Sequence, residues 1–159
     1  MNDEYFMNQA IALAKEAAKE GEVPVGAVVV LDGKIVGKGR NRREISKNAL
    51  AHAEIEAINE ACRALGGWRL WQCDMYVTLE PCPMCTGAII NSRIKRLVYG
   101  ASDYKAGSCG SVVDLFSLPY NHKPEVVSGV MQEECAALLT DFFKKLRKKN
   151  SCQNLSFHV

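Results

Sequence analysis

Residues 26–41 read GAVVVLDGKIVGKGRN. The first six, Gly26–Leu31, form a continuous apolar run of strand length, as expected of a strand covered on both faces. Asp32-Gly33 follows, a pair that closes two-residue hairpins. The return strand is expected over 34–41, so the two strands run antiparallel. Upstream, Phe6, Ala10, Leu13, Ala14 and Ala17 recur at helical spacing, and Gly21 closes that helix. Downstream, a helix is expected over 51–64, with Ile55, Ile58, Cys62 and Leu65 toward the core and Gly66-Gly67 as its stop. A strand over 75–79, a helix over 82–92 with Pro83 in its first turn, and a strand over Arg96–Ala101 come next. Val126-Val127 marks a last short strand, and Cys135, Leu138, Leu139, Phe142 and Leu146 form the stripe of a final helix. A hairpin followed by strand–helix–strand units predicts a three-layer α/β/α fold, with a mixed central sheet of about five strands.

The chain has 159 residues, 48% hydrophobic and 24% charged, which suits one domain with its own core. That domain is expected over 1–149, with a tail over 150–159. No repeat or linker interrupts it. The net charge of +2 permits contact with a polyanion but is less basic than a dedicated nucleic-acid module. The opening MNDEYFMNQA is polar and acidic, unlike a signal peptide. No stretch approaches the ~20 apolar residues that span a bilayer. A soluble cytoplasmic protein with no membrane partner is therefore expected. The seven cysteines are odd in number and fit metal ligands plus free thiols better than a disulfide framework.

The chemistry is concentrated in His52-Ala53-Glu54 and Pro81-Cys82-Pro83-Met84-Cys85. Catalytic zinc takes three protein ligands from imidazoles, thiolates and carboxylates, and keeps the fourth position for water. Cys82 and Cys85 at a helix start can both reach one ion, and the helix N-terminus favours their thiolates. His52 adds a neutral donor. Two glutamates compete for the proton-moving role. Glu54 is about 200° around a regular helix from His52, so the two converge only on a metal lying off the helix end. Glu56, at i+4, shares a face with His52. Spacing alone leaves the choice open. A lone Cys-x-x-Cys can also be a redox pair or half of a structural zinc site. A structural site needs a fourth ligand, and there is no second Cys-x-x-Cys. Cys62, Cys73, Cys109, Cys135 and Cys152 are singletons that read as small buried or incidental thiols.

His-x-Glu followed by Pro-Cys-x-x-Cys resembles the zinc nucleobase deaminases of the cytidine deaminase superfamily. Over about residues 4–148 the chain is similar to the tRNA-specific adenosine deaminases within it. The matching stretches include Val23-Pro24-Val25-Gly26-Ala27, Gly39-Arg40-Asn41, Thr78-Leu79-Glu80-Pro81-Cys82, Ser92-Arg93-Ile94 and Asn121-His122. Asp103, Lys105 and Gly107, and then Asp141-Phe142-Phe143, extend the match. The Cys-x-x-Cys region is shared with guanine and cytosine deaminases, so action on a free base or nucleoside is the alternative. The segments around Asn41, Asp103 and Phe142 are those that resemble the tRNA enzymes.

The resemblance implies a cytidine deaminase-like fold, one Zn²⁺ per subunit and hydrolysis of the wobble adenosine of a tRNA anticodon loop to inosine. His52, Cys82 and Cys85 become the ligands. Glu54 becomes the group that takes the proton of the attacking water, passes it to N1 and protonates the leaving amine. Asn41 would hydrogen-bond the flipped base, Val25 would pack on it, and the backbone at Ala53 and Pro81 would frame it. Asp103 and Lys105 would lie beside the sugar and flanking nucleotides. Phe142 is a candidate contact whose place on a core stripe equally fits packing. Asn41 could equally end a strand and Asp103 make a turn. The basic run 144–149 suits a solvated helix end, and with Arg40, Arg42, Arg43 and Lys47 it is enough for a few phosphate contacts. A homodimer is implied through the helices after the metal motifs, with Met84, Ile89 and Ile90 on the shared surface.

Overall fold

Asp32 and Gly33 both take positive φ, 49° and 75°. This primed turn folds β1 (Gly26–Leu31) back antiparallel onto β2 (Lys34–Arg40). The computed structural model describes residues 2–156. Around the hairpin lie α1 (Asp3–Lys19), α2 (Ala53–Leu65), β3 (Asp74–Leu79), α3 (Pro83–Ser92) and β4 (Arg96–Ala101). A 3₁₀ turn at Leu115–Ser117, then β5 (Glu125–Ser128) and α4 (Gln132–Ser156) complete the described residues. The five strands form one mixed sheet in the order β2-β1-β3-β4-β5. β1 pairs antiparallel with β2 and β3, while β3, β4 and β5 run parallel.

Side-chain alternation divides the sheet between two helical layers. Val28, Val30, Tyr76 and Val98 point toward α1 and α4. Val29, Met75, Val77 and Leu97 point the other way, toward α2 and α3. Every strand position of β1 except Leu31 is buried, so the apolar run reflects cover on both faces.

The core face of α2 differs from the expected one. Ala53, Glu54, Ala57, Ile58 and Ala61 are buried, whereas Ile55 and Cys62 are half-buried and Leu65 is exposed. The cause lies in β2. A Cβ on Gly39 would stand 2.0 Å from the Ala53 carbonyl oxygen, and one on Gly37 would stand 2.2 Å from that of Ala57. The helix backbone rests directly on the strand, so its small stripe, not its bulky one, faces inward. On α3, Ile89 and Ile90 are buried in the core, which corrects their expected place on a subunit interface. The chain's own layers already cover them. The outward residues of α3 are Pro83, Met84, Gly87, Ala88 and Asn91.

The final helix keeps Cys135 in the core, half-buries Leu138, Leu139 and Phe142, and leaves Leu146 exposed as it runs off the body. It continues to Ser156, through most of the segment read as a tail. Residues 157–159 of that segment lie outside the described residues. No helix among the described residues is long and apolar enough to cross a membrane.

Candidate active site

Two helix N-termini converge on one cavity. His52 is the N-cap residue of α2 and Cys82 the N-cap residue of α3. Neither side chain caps its own helix, so both are available for other work. The missing cap on α2 is supplied from β2's end, where Asn41 Oδ1 accepts from the Ala53 N–H at 3.1 Å. That bond fixes the amide so that its Nδ2 donor group is the part left to address a ligand. Asn41 lines the cavity together with Val25, Arg43, His52, Glu54 and Cys82.

His52 Nδ1 lies 3.7 Å from Cys82 Sγ and 3.6 Å from Cys85 Sγ. Among the described residues, these three form a group whose ligand atoms all fall within 4.8 Å of one another and that could hold a metal ion. A hydrogen bond with Cys85, helped by His52, brings the Cys82 thiol down to about 4 against the effect of burial. The same bond, burial and the nearby Glu54 push the Cys85 thiol upward. His52 is raised by its bond to Cys82, with burial opposing.

Glu54 is 4% exposed and sits in the second position of α2, on the side facing the cavity. Burial pushes its carboxyl up to about 7, the Cys82 charge adding and His52 opposing. Glu56 points elsewhere. It accepts from the Arg40 N–H at 3.3 Å and pairs with Arg42 at 3.5 Å on the outer side of β2. Geometry separates the two glutamates left open by spacing: the group that could hold a metal ion lies off the end of α2, and of the two only Glu54 lines its cavity.

Of the other expected site residues, Val25, Asn41 and Asp103 line the cavity. Ala53 and Pro81 are buried beside it, with the Ala53 N–H held by Asn41 and the Pro81 carbonyl by Ser108 N–H at 2.9 Å. Asp103 does make a turn: its Oδ1 accepts from Lys105 and Ala106 N–H at 3.0 and 3.3 Å. Lys105 is exposed and does not line the cavity. Phe142 borders a neighbouring cavity with Phe143 and Leu146, which shares Val23, Asn41 and Arg43 with the first.

One further residue, Arg43, was expected only as a basic group for phosphates, and another, Glu80, escaped the sequence reading. Arg43 lines both cavities from the loop after β2. Glu80 is 2% exposed, lines the metal-ligand cavity and accepts from the N–H groups of Asp103, Cys109 and Ser111. Burial works to raise its carboxyl, but those bonds and the Ser111 hydroxyl hold it below the usual range. The available signal was an acidic residue closing an apolar strand, since carboxylates are rarely buried without partners.

The model of the MafB19-like deaminases matches residues 1–147. The chain is 50% identical over 157 residues to the tRNA-specific adenosine deaminase of Bacillus subtilis (strain 168), covering 97% of this chain and 98% of that protein. A solved structure from work on A-to-I editing by tRNA:A34 deaminases at the wobble position superposes with a TM-score of 0.83 at 48% identity, over 85% of this chain and 99% of that one. The structure of guanine deaminase from Bacillus subtilis superposes with a TM-score of 0.64 at 42% identity, over 74% of each chain. Matched from end to end by the first of these relatives, and across nearly all of its length by the family model, the chain belongs to the MafB19-like deaminases, among the tRNA-specific adenosine deaminases.

Proposed function

We propose that this enzyme hydrolyses the wobble adenosine of a tRNA anticodon loop to inosine, with zinc at His52, Cys82 and Cys85 and with Glu54 as proton carrier. The donor set fits zinc. Ligand bonds of about 2.0 Å to nitrogen and 2.3 Å to sulfur at the tetrahedral angle put N and S about 3.6 Å apart. The observed separations of 3.7 and 3.6 Å match that edge. The three ligand atoms lie within 4.8 Å of one another, and a cation held between them would ionise both thiols. Zinc, when bound, supplies a water activated near neutral pH as the nucleophile. Glu54 takes one proton of that water and delivers it to N1 of the base as C6 is attacked, then carries the remaining hydroxyl proton to the departing amine, so that ammonia leaves and a carbonyl oxygen stays on C6. A carboxyl near 7 can both accept and return a proton at physiological pH. Asn41 positions the base through Nδ2, and Val25 gives it an apolar wall.

The observation that carries the substrate reading is the pair of adjoining cavities. The first, about 180 Å³, is below the ~300–1,000 Å³ of sites enclosing drug-sized ligands and takes a group the size of one base. The second, about 360 Å³, shares Val23, Asn41 and Arg43 with it and is lined on its far side by Phe142, Phe143 and Leu146 of α4. A free base would fill the first and ignore the second. A flipped nucleotide in a loop uses both, and unstacked loop bases cost less to flip. Total tRNA incubated with the protein should acquire inosine at the first anticodon position, read as A-to-G changes in complementary DNA. Deaminated free guanine, cytosine or adenosine with unchanged tRNA would refute the reading.

The site and fold also support a homodimer in the cytoplasm, where tRNA is found. Met84, Gly87, Ala88 and Asn91 form an outward strip on α3, and nothing lies within 4 Å of a Cβ on Gly87. Exposed Trp68, whose ring lies under the Arg93 guanidinium at 5.8 Å, and Val112 and Leu118 near the 3₁₀ turn add apolar surface around α3.

A further inference from the structure

Residues 103–111 follow β4 without a further strand or helix, and two of them, Asp103 and Ala106, line the cavity. Besides turn bonds of their own and a bond from Ser108 N–H to the Pro81 carbonyl at 2.9 Å, one buried side chain ties both ends of the loop together. Glu80 Oε1 accepts from Asp103 N–H at 3.1 Å and from the Ser111 hydroxyl. Glu80 Oε2 accepts from Cys109 N–H at 3.0 Å and Ser111 N–H at 3.1 Å. The loop wraps so closely that a Cβ on Gly107 would lie 2.4 Å from Glu80 Cδ. Inward-pointing N–H groups of this kind make an anion nest, and here the anion belongs to the chain itself. Its other end is fixed: Glu80 N–H bonds to the Ala101 carbonyl at 2.8 Å, directly after β3 pairs Leu79 with Ala101.

We propose that Glu80 is a positioning residue for the substrate: it sets the 103–111 wall, and through Asp103 and Ala106 the shape of the cavity that receives the RNA nucleotide. The inference rests on the RNA-loop reading above. Glu80 is two residues from the ligand Cys82, but its carboxylate is bonded to the loop and its contribution falls on binding. Replacement by Gln removes the fit while keeping the shape. Whichever oxygen becomes the amide nitrogen, it faces at least one backbone N–H, a donor against a donor.

The test compares zinc-loaded wild type, Glu80→Gln and Ser111→Ala by zinc content, amide hydrogen exchange, and kcat and KM on an anticodon stem-loop. In Glu80→Gln, exchange over 103–111 should accelerate at least about tenfold and KM should rise about 10- to 100-fold, with kcat changed less than about threefold, as expected when buried donors lose their partner. Zinc content and exchange in β3 and α3 should stay as in wild type. Ser111→Ala removes one bond without touching Glu80 and should move KM in the same direction by about three- to tenfold. Unchanged exchange over 103–111, a fall in kcat at constant KM, or loss of zinc from Glu80→Gln would each overturn the inference. If Glu80→Gln does not fold, Ser111→Ala decides, and unchanged exchange and KM there overturn it. Wild-type protein inert toward the stem-loop would refute the proposed function instead, and the exchange measurement would then decide the loop's attachment to Glu80 alone.

Discussion

Glu54 and Glu56 are two residues apart, and their roles could not be told apart from spacing. The ambiguity came from treating His52 as part of the helix, where a partner at i+4 shares its face. His52 is instead the N-cap, in extended conformation, with φ −86° and ψ 153°. A ligand half outside the helix aims past its end, and Glu54 then lies nearest the ligand group. Glu54→Ala should keep about one zinc per chain and lose about 10²- to 10⁴-fold in kcat, the usual worth of a positioned acid/base group. Glu56→Ala, which removes only a surface pair with Arg42 and a bond to Arg40 N–H, should change kcat by less than about threefold. Cys82→Ala or Cys85→Ala should lose zinc by elemental analysis as well as turnover. Reversed behaviour of the two glutamate variants would reassign the proton carrier. The group that could hold a metal ion was legible because few residue types bind zinc and the two thiols are close in sequence. Glu80 was not, because its partners lie 23 to 31 residues downstream in a loop with no pattern of its own.

Among the elements, the strands and the order of helices followed from apolar runs and turn residues, which act locally. The inner face of α2 did not, because it is chosen by contact with a strand distant in sequence. Bulky Ile55, Cys62 and Leu65 suggested a core stripe, yet Gly37 and Gly39 admit only Ala53, Ala57 and Ala61. This packing also places the site, since Ala53 lies between His52 and Glu54. Gly39→Ala should therefore lower stability by about 1–3 kcal/mol through overpacking. The melting temperature should drop about 2–4 °C per kcal/mol. Zinc affinity should fall with it as α2 is displaced. A variant with unchanged melting temperature and zinc affinity would show that α2 tolerates the methyl group and that the close approach does not set the site. The outward strip of α3 carries a further expectation. Sedimentation should give a species of about twice the 17.5 kDa chain mass at micromolar concentration, and Ala88→Arg should shift it to the monomer. A wild-type monomer would refute the dimer.

For the whole molecule, the modest net charge of +2 hid how basic residues are distributed. Arg43 borders both cavities, and the exposed basic run 144–149, expected at a helix end, lies in the middle of α4 around Leu146 of the Phe142 cavity. A few phosphate contacts suffice for recognition of a loop, each releasing counterions on binding. KM for an anticodon stem-loop should rise with salt, with a log–log slope near −0.7 in affinity per single-strand phosphate contact. Deamination of a free base carries no phosphates and should be insensitive. The most direct test of the central claim is the ratio of kcat/KM for an anticodon stem-loop with adenosine at the wobble position to that for free guanine, measured on zinc-loaded protein at one salt concentration. The account predicts inosine in the stem-loop and a ratio far above one; faster deamination of guanine than of the RNA loop would contradict it.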